Sequence, residues 1–432
     1  MRKTREEIAL ERTVLLARDF VPPEIDDARV VAALRQPTVA IVADETNAVT
    51  QLGQTIVVTL AQIANASGAA VRLAFPEIRL AGPQPPVVGP TLRAGLLDLL
   101  QDAMPGARTS IGSPRDDDLV FVVGDTIAAH HRGEAWRVWA RPWAGGIAPL
   151  SATVPRCHGS WTTGAGLAAP IAGAEVVKHV LRRLTPGDNA VVGEQLARVA
   201  EASIVLSESD DVPDALDLGA VDFISGGAIT GAALHSLLRH QPVCAIARVI
   251  EPGRLALNNA NRYVLMRLSQ IPMLKVGALS RWQTASVPIT GVPERMESAT
   301  LAQLRPFAPR VMVGVDDIPS RWVIQREWPL WLAVGGTVHF TAVVSDHRPG
   351  PGCAGCLHPR DDGVNADIPT VAFVSYLAGA LLTGRLLLDA LGHPTPPARR
   401  AIELASMRLD LPAATWTHPV LPLPSCPVPC AA

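Results

Sequence analysis

The chain has 432 residues, enough for two or three domains with sizeable cores. Lys and Arg number 38 against 40 Asp and Glu, a formal net charge of −2, so no basic excess marks nucleic acid as the main partner. Hydrophobic residues make up 48% and charged residues 18%, which excludes disorder over most of the length.

Residues 1–36 read as polar helix with an extended Val21-Pro22-Pro23 break. This start is charged and lacks the apolar run of a secretion signal, so a cytoplasmic location is expected. TVAIVA at 38–43 has the pattern of a buried strand, and Asp44-Glu45-Thr46-Asn47 follows it in place of a glycine loop. A helix over 53–67, a strand over 70–75, a Pro/Gly-rich loop over 76–92 and a helix over 92–104 come next. Residues 116–126 form a strand ending in acid, Asp125, and 136–143 a further strand. A small-residue helix over 164–184 ends at Thr185-Pro186-Gly187-Asp188, read as the boundary between two units.

The second half repeats that order. Residues 221–226 answer 38–43, and 310–317 answer 116–126, with Asp316 in the place of Asp125. The apolar stretch 369–392 answers the helix 164–184; Arg385 and Asp389 interrupt it, so a buried helix is expected and not a membrane span. The expected fold is α/β: a helical segment (1–36), a degenerate Rossmann-like unit (37–186) and a second Rossmann-like unit (187–432), packed in tandem as a pseudo-dimer.

The second unit carries the chemistry. A strand over 221–224 leads into Ser225-Gly226-Gly227-Ala228-Ile229-Thr230-Gly231, a helix and a strand over 244–250 that ends at Glu251. Strand, glycine turn, helix, strand and acid is the order of a nucleotide-binding βαβ unit. Gly226, Gly227 and Gly231 would let backbone approach phosphate, and Glu251 would take ribose hydroxyls. Asn259, Arg262 and Lys275 follow, and Asp316 closes a later strand; Arg and Lys suit phosphate, and the aspartate suits Mg²⁺. A tight turn with solvated surface charges is the plainer reading of any one of these residues.

Taken together, SGGAITG, VIEPG, NNANR, PMLK and GVDD resemble the ThiF/MoeB/HesA family, adenylating enzymes related to ubiquitin-activating enzymes. The resemblance covers 221–430. It implies ATP and Mg²⁺ as cofactors, with Glu251 and Asn259 on the nucleotide and Arg262, Lys275 and Asp316 catalytic. It also implies a counterpart for Arg321, and an arginine supplied by an N-terminal helix across a dimer, for which Arg12 and Arg18 are the candidates. Ser225, Ala228 and Thr230 stand where the family usually has glycine, and Gly253 stands where it has a second acid.

Two short-spaced pairs, Cys353/Cys356 and Cys426/Cys430, can close a tetrahedral thiolate site for a structural Zn²⁺; free thiols or a tail disulfide are the other readings. Residues 357–380 hold no cysteine for a thioester. Cys157, beside His158, reads as a loop or core cysteine, and Cys244, mid-strand, as core. Trp136, Trp139, Trp143 and Trp161 read as packing residues.

The expected function is ATP-dependent adenylation of the C-terminal carboxylate of a ubiquitin-like or sulfur-carrier protein, or of a peptide, ending at the acyl-adenylate. The alternative is a catalytically degenerate ThiF-like scaffold that holds a precursor peptide or partner protein. An NAD(P)-linked oxidoreductase would leave Lys275, Asp316 and the cysteine pairs unexplained. Neither nucleic acid nor a membrane is expected as a partner, and a homodimer is left open.

Overall fold

A computed structural model describes residues 3–127, 131–185, 190–361, 369–392, 400–411 and 414–430. The first unit runs α1 (Arg5–Ala17), α2 (Asp27–Leu34), β1 (Thr38–Val42), α3 (Glu45–Ala48), α4 (Gln51–Ala66), β2 (Ala70–Ala74), α5 (Leu92–Gln101), β3 (Thr109–Ile111), β4 (Leu119–Val123), β5 (Ala135–Ala140), β6 (Ala144–Ala148), α6 (Thr163–Leu184), α7 (Ala190–Gln195) and β7 (Ala202–Val205). The second runs β8 (Leu216–Ile224), α8 (Ala228–Leu237), β9 (Val243–Ile250), α9 (Lys275–Ser280), β10 (Ile289–Val292), α10 (Leu301–Leu304), β11 (Arg310–Val313), α11 (Ile318–Gln325), β12 (Trp331–Val338), β13 (Thr341–His347), α12 (Ala354–Leu357), α13 (Ala372–Ala390), β14 (Arg400–Ala405) and β15 (Thr415–Pro419).

The two sheets share one plan. The first has the order β3-β2-β1-β4-β5-β6-β7 and the second β10-β9-β8-β11-β12-β13-β14-β15. Each is parallel over its first five strands in that order, then antiparallel. The parallel part is the 3-2-1-4-5 arrangement of a nucleotide-binding fold, whose crevice opens where the strand order reverses. That point lies between β1 and β4 in the first unit and between β8 and β11 in the second. The expected α/β fold of two tandem Rossmann-like units is therefore the fold observed.

Parallel strands covered on both faces must be apolar throughout, and β4, LVFVV, is buried at every position. Details differ from the sequence reading at the antiparallel edges. The expected strand over 136–143 stops at Ala140, and a hairpin through Pro142 leads to the unanticipated β6. Residues 186–189, where the unit boundary was expected, lie outside the described residues. The first sheet continues beyond them, because β7 pairs antiparallel with β6.

The apolar helix α13 is long enough to span a membrane, yet it is buried inside the protein as anticipated. Arg385 on it pairs with Asp346 on β13, and Asp389 with Arg310 on β11. It packs against α6 of the first unit, and small residues allow the close approach: a Cβ on Gly166 would lie 3.2 Å from that of Ala380, and one on Gly173 3.2 Å from that of Phe373. Trp136, Trp143 and Trp161 are buried in this core, with Trp143 and Trp161 4.9 Å apart between ring centroids.

Candidate active site

A cleft of ≈ 330 Å³ opens at the C-terminal ends of β8 and β11, the reversal point of the second sheet. Its walls include Ser225, Gly227, Glu251, Arg262, Lys275 and Asp316, residues drawn from five separate stretches of sequence. Parallel strands end on one side of a sheet, and this is what gathers them.

The turn after β8 is built around Ser225, whose φ is +96°, a conformation that glycine adopts without strain. Its Oγ accepts the Gly227 N–H at 2.9 Å. Glu251, at the end of β9, accepts the Gly226 N–H at 2.9 Å through Oε2 and the Gly253 N–H at 2.7 Å through Oε1. Lys275 Nζ lies 3.4 Å from Oε1. Ser225 Oγ also donates to Oε2, at 3.4 Å, so all four acceptor positions of the carboxylate have partners within the protein, and a ligand hydroxyl would take the place of that long Ser225 contact. Two N–H groups of the turn are thus already engaged within the protein. Ala228 and Ile229, at the start of α8, line the cleft, and no side chain caps that helix N-terminus.

The cationic side is held from below by Tyr263. The Arg262 guanidinium carbon lies 5.3 Å, and the Lys275 ammonium 5.4 Å, from its ring centroid. Burial by itself would lower the Lys275 ammonium, but Tyr263 and Glu251 outweigh it and raise it, so the lysine is charged. Burial lowers the Arg262 guanidinium without approaching neutrality. Asp316 is open to the cleft mouth, yet crowding by the cleft walls raises its carboxyl. Arg321, Arg262, Lys275 and Arg12 act in the opposite direction. An aspartate in this setting suits a hard divalent cation such as Mg²⁺.

Arg12 is the residue the sequence did not single out from Arg18. It lines the cleft from α1 of the first unit. Its neighbours dock that helix: Asn258 Nδ2 donates to Glu11 Oε1 at 2.8 Å and Asn261 Nδ2 to Thr13 Oγ1 at 2.9 Å. Arg18 instead pairs with Asp27 and donates to the Ile25 carbonyl. Tyr263, Arg295, Thr337 and Ser375 also line the cleft and were missed. Tyr263 alone had a signal in sequence, its adjacency to Arg262.

Other expected residues lie elsewhere. Asn259 is buried below the cleft, where its Oδ1 accepts the Ala256 N–H at 3.0 Å and closes a local turn. Gly231 sits inside α8 with open space where a Cβ would be, so nothing there requires glycine. Arg321 stands behind the cleft and donates from Nε and one terminal nitrogen to the Val315 carbonyl. Cys244, expected in the core, is exposed on β9, where alternate residues face outward. Burial pushes the Cys157 thiol up to about 12, which removes it as a nucleophile near neutral pH.

The equivalent point of the first unit is closed. Asn47 Nδ2 reaches Asp44 at 3.0 Å, Asp125 at 2.9 Å and Thr126 at 3.2 Å, while its Oδ1 accepts the Cys157 N–H at 2.9 Å. One buried amide occupies the crevice that a nucleotide would need.

The four cysteines converge, with their sulfurs all within 4.8 Å of one another. Cys353 and Cys356 are 3.8 Å apart, Cys353 and Cys426 3.5 Å, and Cys356 and Cys430 3.5 Å. A tetrahedral Zn²⁺ with Zn–S bonds of about 2.3 Å sets its sulfurs about 3.8 Å apart, so this donor set fits a structural zinc.

No protein-family model matches the chain. A curated relative, the uncharacterized protein y4jF of Sinorhizobium fredii (strain NBRC 101917 / NGR234), is 25% identical over 219 residues, 50% of this chain and 42% of that protein. Among solved structures, E. coli MccB with ATP is 18% identical with a TM-score of 0.40, covering 49% of this chain and 66% of MccB. The microcin C7 biosynthetic enzyme MccB in complex with N-formylated MccA is 18% identical at a TM-score of 0.41, covering 48% and 67%. PaaA is 15% identical at 0.36, covering 48% and 65%. The chain thus spans less than half of the curated relative and about two thirds of these solved chains.

Proposed function

We propose that this protein activates a carboxylate with ATP. The observation that carries the proposal is the convergence of the Ser225–Gly227 turn, Glu251, Arg262, Lys275, Asp316 and Arg12 on one cleft at the switch point of the second sheet. Arg262, Lys275 and Arg12 neutralise triphosphate charge, and Glu251 takes the ribose. Mg²⁺ at Asp316 supplies further charge neutralisation when bound. A carboxylate oxygen of the substrate attacks the α-phosphorus, the bond to the bridging oxygen breaks, and pyrophosphate leaves. The substrate is the C-terminus of a peptide, or of a ubiquitin-like or sulfur-carrier protein. The product is the acyl-adenylate, because the cleft lining contains no cysteine among the described residues. Arg12 takes the part that the family resemblance gives to a second subunit, so the first unit acts as a built-in partner. The cysteine cluster holds zinc structurally, which suits a reducing cytoplasm.

The test is ATP–pyrophosphate exchange with candidate peptides and Mg²⁺. Wild-type protein exchanges label, and Asp316→Asn loses at least roughly 100-fold. Absence of exchange together with absence of calorimetric ATP binding overturns the proposal.

A second reading is favoured by the engaged N–H groups of Gly226 and Gly227. On that reading the cleft is a catalytically silent remnant in a scaffold that binds a precursor peptide or a partner protein. Partner binding without nucleotide, and no affinity for ATP, selects it.

A further inference from the structure

We infer that His358 is a positioning residue that ties the cysteine cluster to the turn carrying Asp316; the role of that turn rests on the adenylation reading. His358 lies two residues past Cys356. Its Nε2 is 3.0 Å from a terminal nitrogen of Arg321. A guanidinium only donates, so Nε2 is the acceptor and the imidazole proton sits on Nδ1. The other terminal nitrogen and Nε of Arg321 donate to the Val315 carbonyl at 2.8 and 3.2 Å. Val315 immediately precedes Asp316. One guanidinium therefore bridges the cysteine loop and the Asp316 turn.

The rest of α11 obeys the same logic. Trp322 Nε1 donates to the His358 carbonyl at 2.7 Å, and Gln325 Oε1 accepts the Ala354 N–H at 3.0 Å, between the first two cysteines. Arg326 reaches the Pro427 carbonyl at 2.8 Å, between the last two. Asp317 caps α11 by accepting the Ser320 N–H at 2.8 Å, which sets where the helix starts but does not hold Val315. Arg321 holds Val315, and with only 8% of its surface exposed it has little water to compete for its N–H groups. His358 is its anchor on the far side. A closed cysteine cluster fixes His358, so the order of the tail sets the geometry of Asp316.

The experiment compares the full chain with His358→Ala and His358→Gln, the amide oxygen of Gln being able to accept from Arg321. Zinc content by elemental analysis stays at the wild-type level in both. Hydrogen exchange over 311–320, measured without nucleotide, is faster in the Ala variant and near wild type in the Gln variant. Calorimetric titration of Mg²⁺ into protein saturated with a non-hydrolysable ATP analogue shows about tenfold weaker Mg²⁺ binding in the Ala variant and recovery in the Gln variant. Stripping zinc under reducing conditions produces the same two changes in wild-type protein. Unaltered exchange over 311–320 in His358→Ala overturns the inference, as does equal damage from Ala and Gln. If exchange responds but wild-type protein binds no nucleotide, the brace stands and the adenylation reading falls.

Discussion

Ser225 shows how far one residue can depart from its backbone's preference. At φ +96° a Cβ costs about 1–2 kcal/mol, and the serine offsets part of this by capping the Gly227 N–H. The two contributions can be separated. Ser225→Gly and Ser225→Ala both lose the cap, but only glycine relieves the strain. The glycine variant is therefore expected to be about 1 kcal/mol more stable than the alanine variant in denaturant titrations. The sequence already showed a serine in a glycine's place; that its hydroxyl would turn back onto the next amide but one was visible only in the fold. The same limit applies to Asn259 and Arg12. Asn259 satisfies a local turn, a use that leaves no trace in spacing. Arg12 reaches its site across some 250 residues of sequence, a contact set by how α1 docks.

Among the elements, strands written as apolar runs were legible, while the glycine-rich β6, though buried throughout, and the exposed edge strand β15 were not. β4 is a continuous apolar run because helices cover it, whereas β8 is buried without a break only over its last four residues, where Asp222 is paired with Arg248. β15, TWTHP, is mostly exposed at the sheet edge, and its alternation encodes little. The tail beyond β15 has no regular structure and packs only a small cluster: Cys353, Cys356, Ala401, Val420 and Val428. Trp322, Trp328 and Leu357 pack partly buried against it, and a metal at the four cysteines would tie the proline-rich tail to this cluster. One zinc per chain is expected. A chelator under reducing conditions should lower the thermal midpoint and expose residues 420–430 to limited proteolysis, read by mass spectrometry. Cys356→Ser should reproduce both effects without chelator.

At the scale of the whole molecule, the two units form a single body. One apolar cluster runs from Ala9 in α1 to Met407 beyond β14, with α4, α6, α8 and α13 at its centre. Buried polar groups cross the interface. His235 Nε2 lies 3.0 Å from Gln62 Oε1, which also accepts the Tyr376 hydroxyl at 3.2 Å. Arg239 Nε donates to Gln84 Oε1 at 2.9 Å. Burial pushes His240 down to about 4, so it is neutral and accepts from the Thr163 hydroxyl at 2.9 Å. Separating the units would strand these groups, each costing about 1–3 kcal/mol, besides exposing the α6 and α13 faces. Residues 1–206 and 207–432 produced apart are expected to aggregate, while the intact chain unfolds in one cooperative calorimetric transition.

The class of fold and the doubled order of its elements are properties of the residue order. Buried parallel strands are written largely in apolar residues, and the turns at their C-terminal ends emerge on one side of the sheet. Three matters belong to the folded chain. The first unit's crevice is solid because Asn47 folds back into it. Arg12 comes to the cleft from the other unit. The loop of the first cysteine pair is linked to the Asp316 turn through His358 and Arg321. Each of these depends on contacts between distant segments, where spacing along the chain carries no information about distance in space.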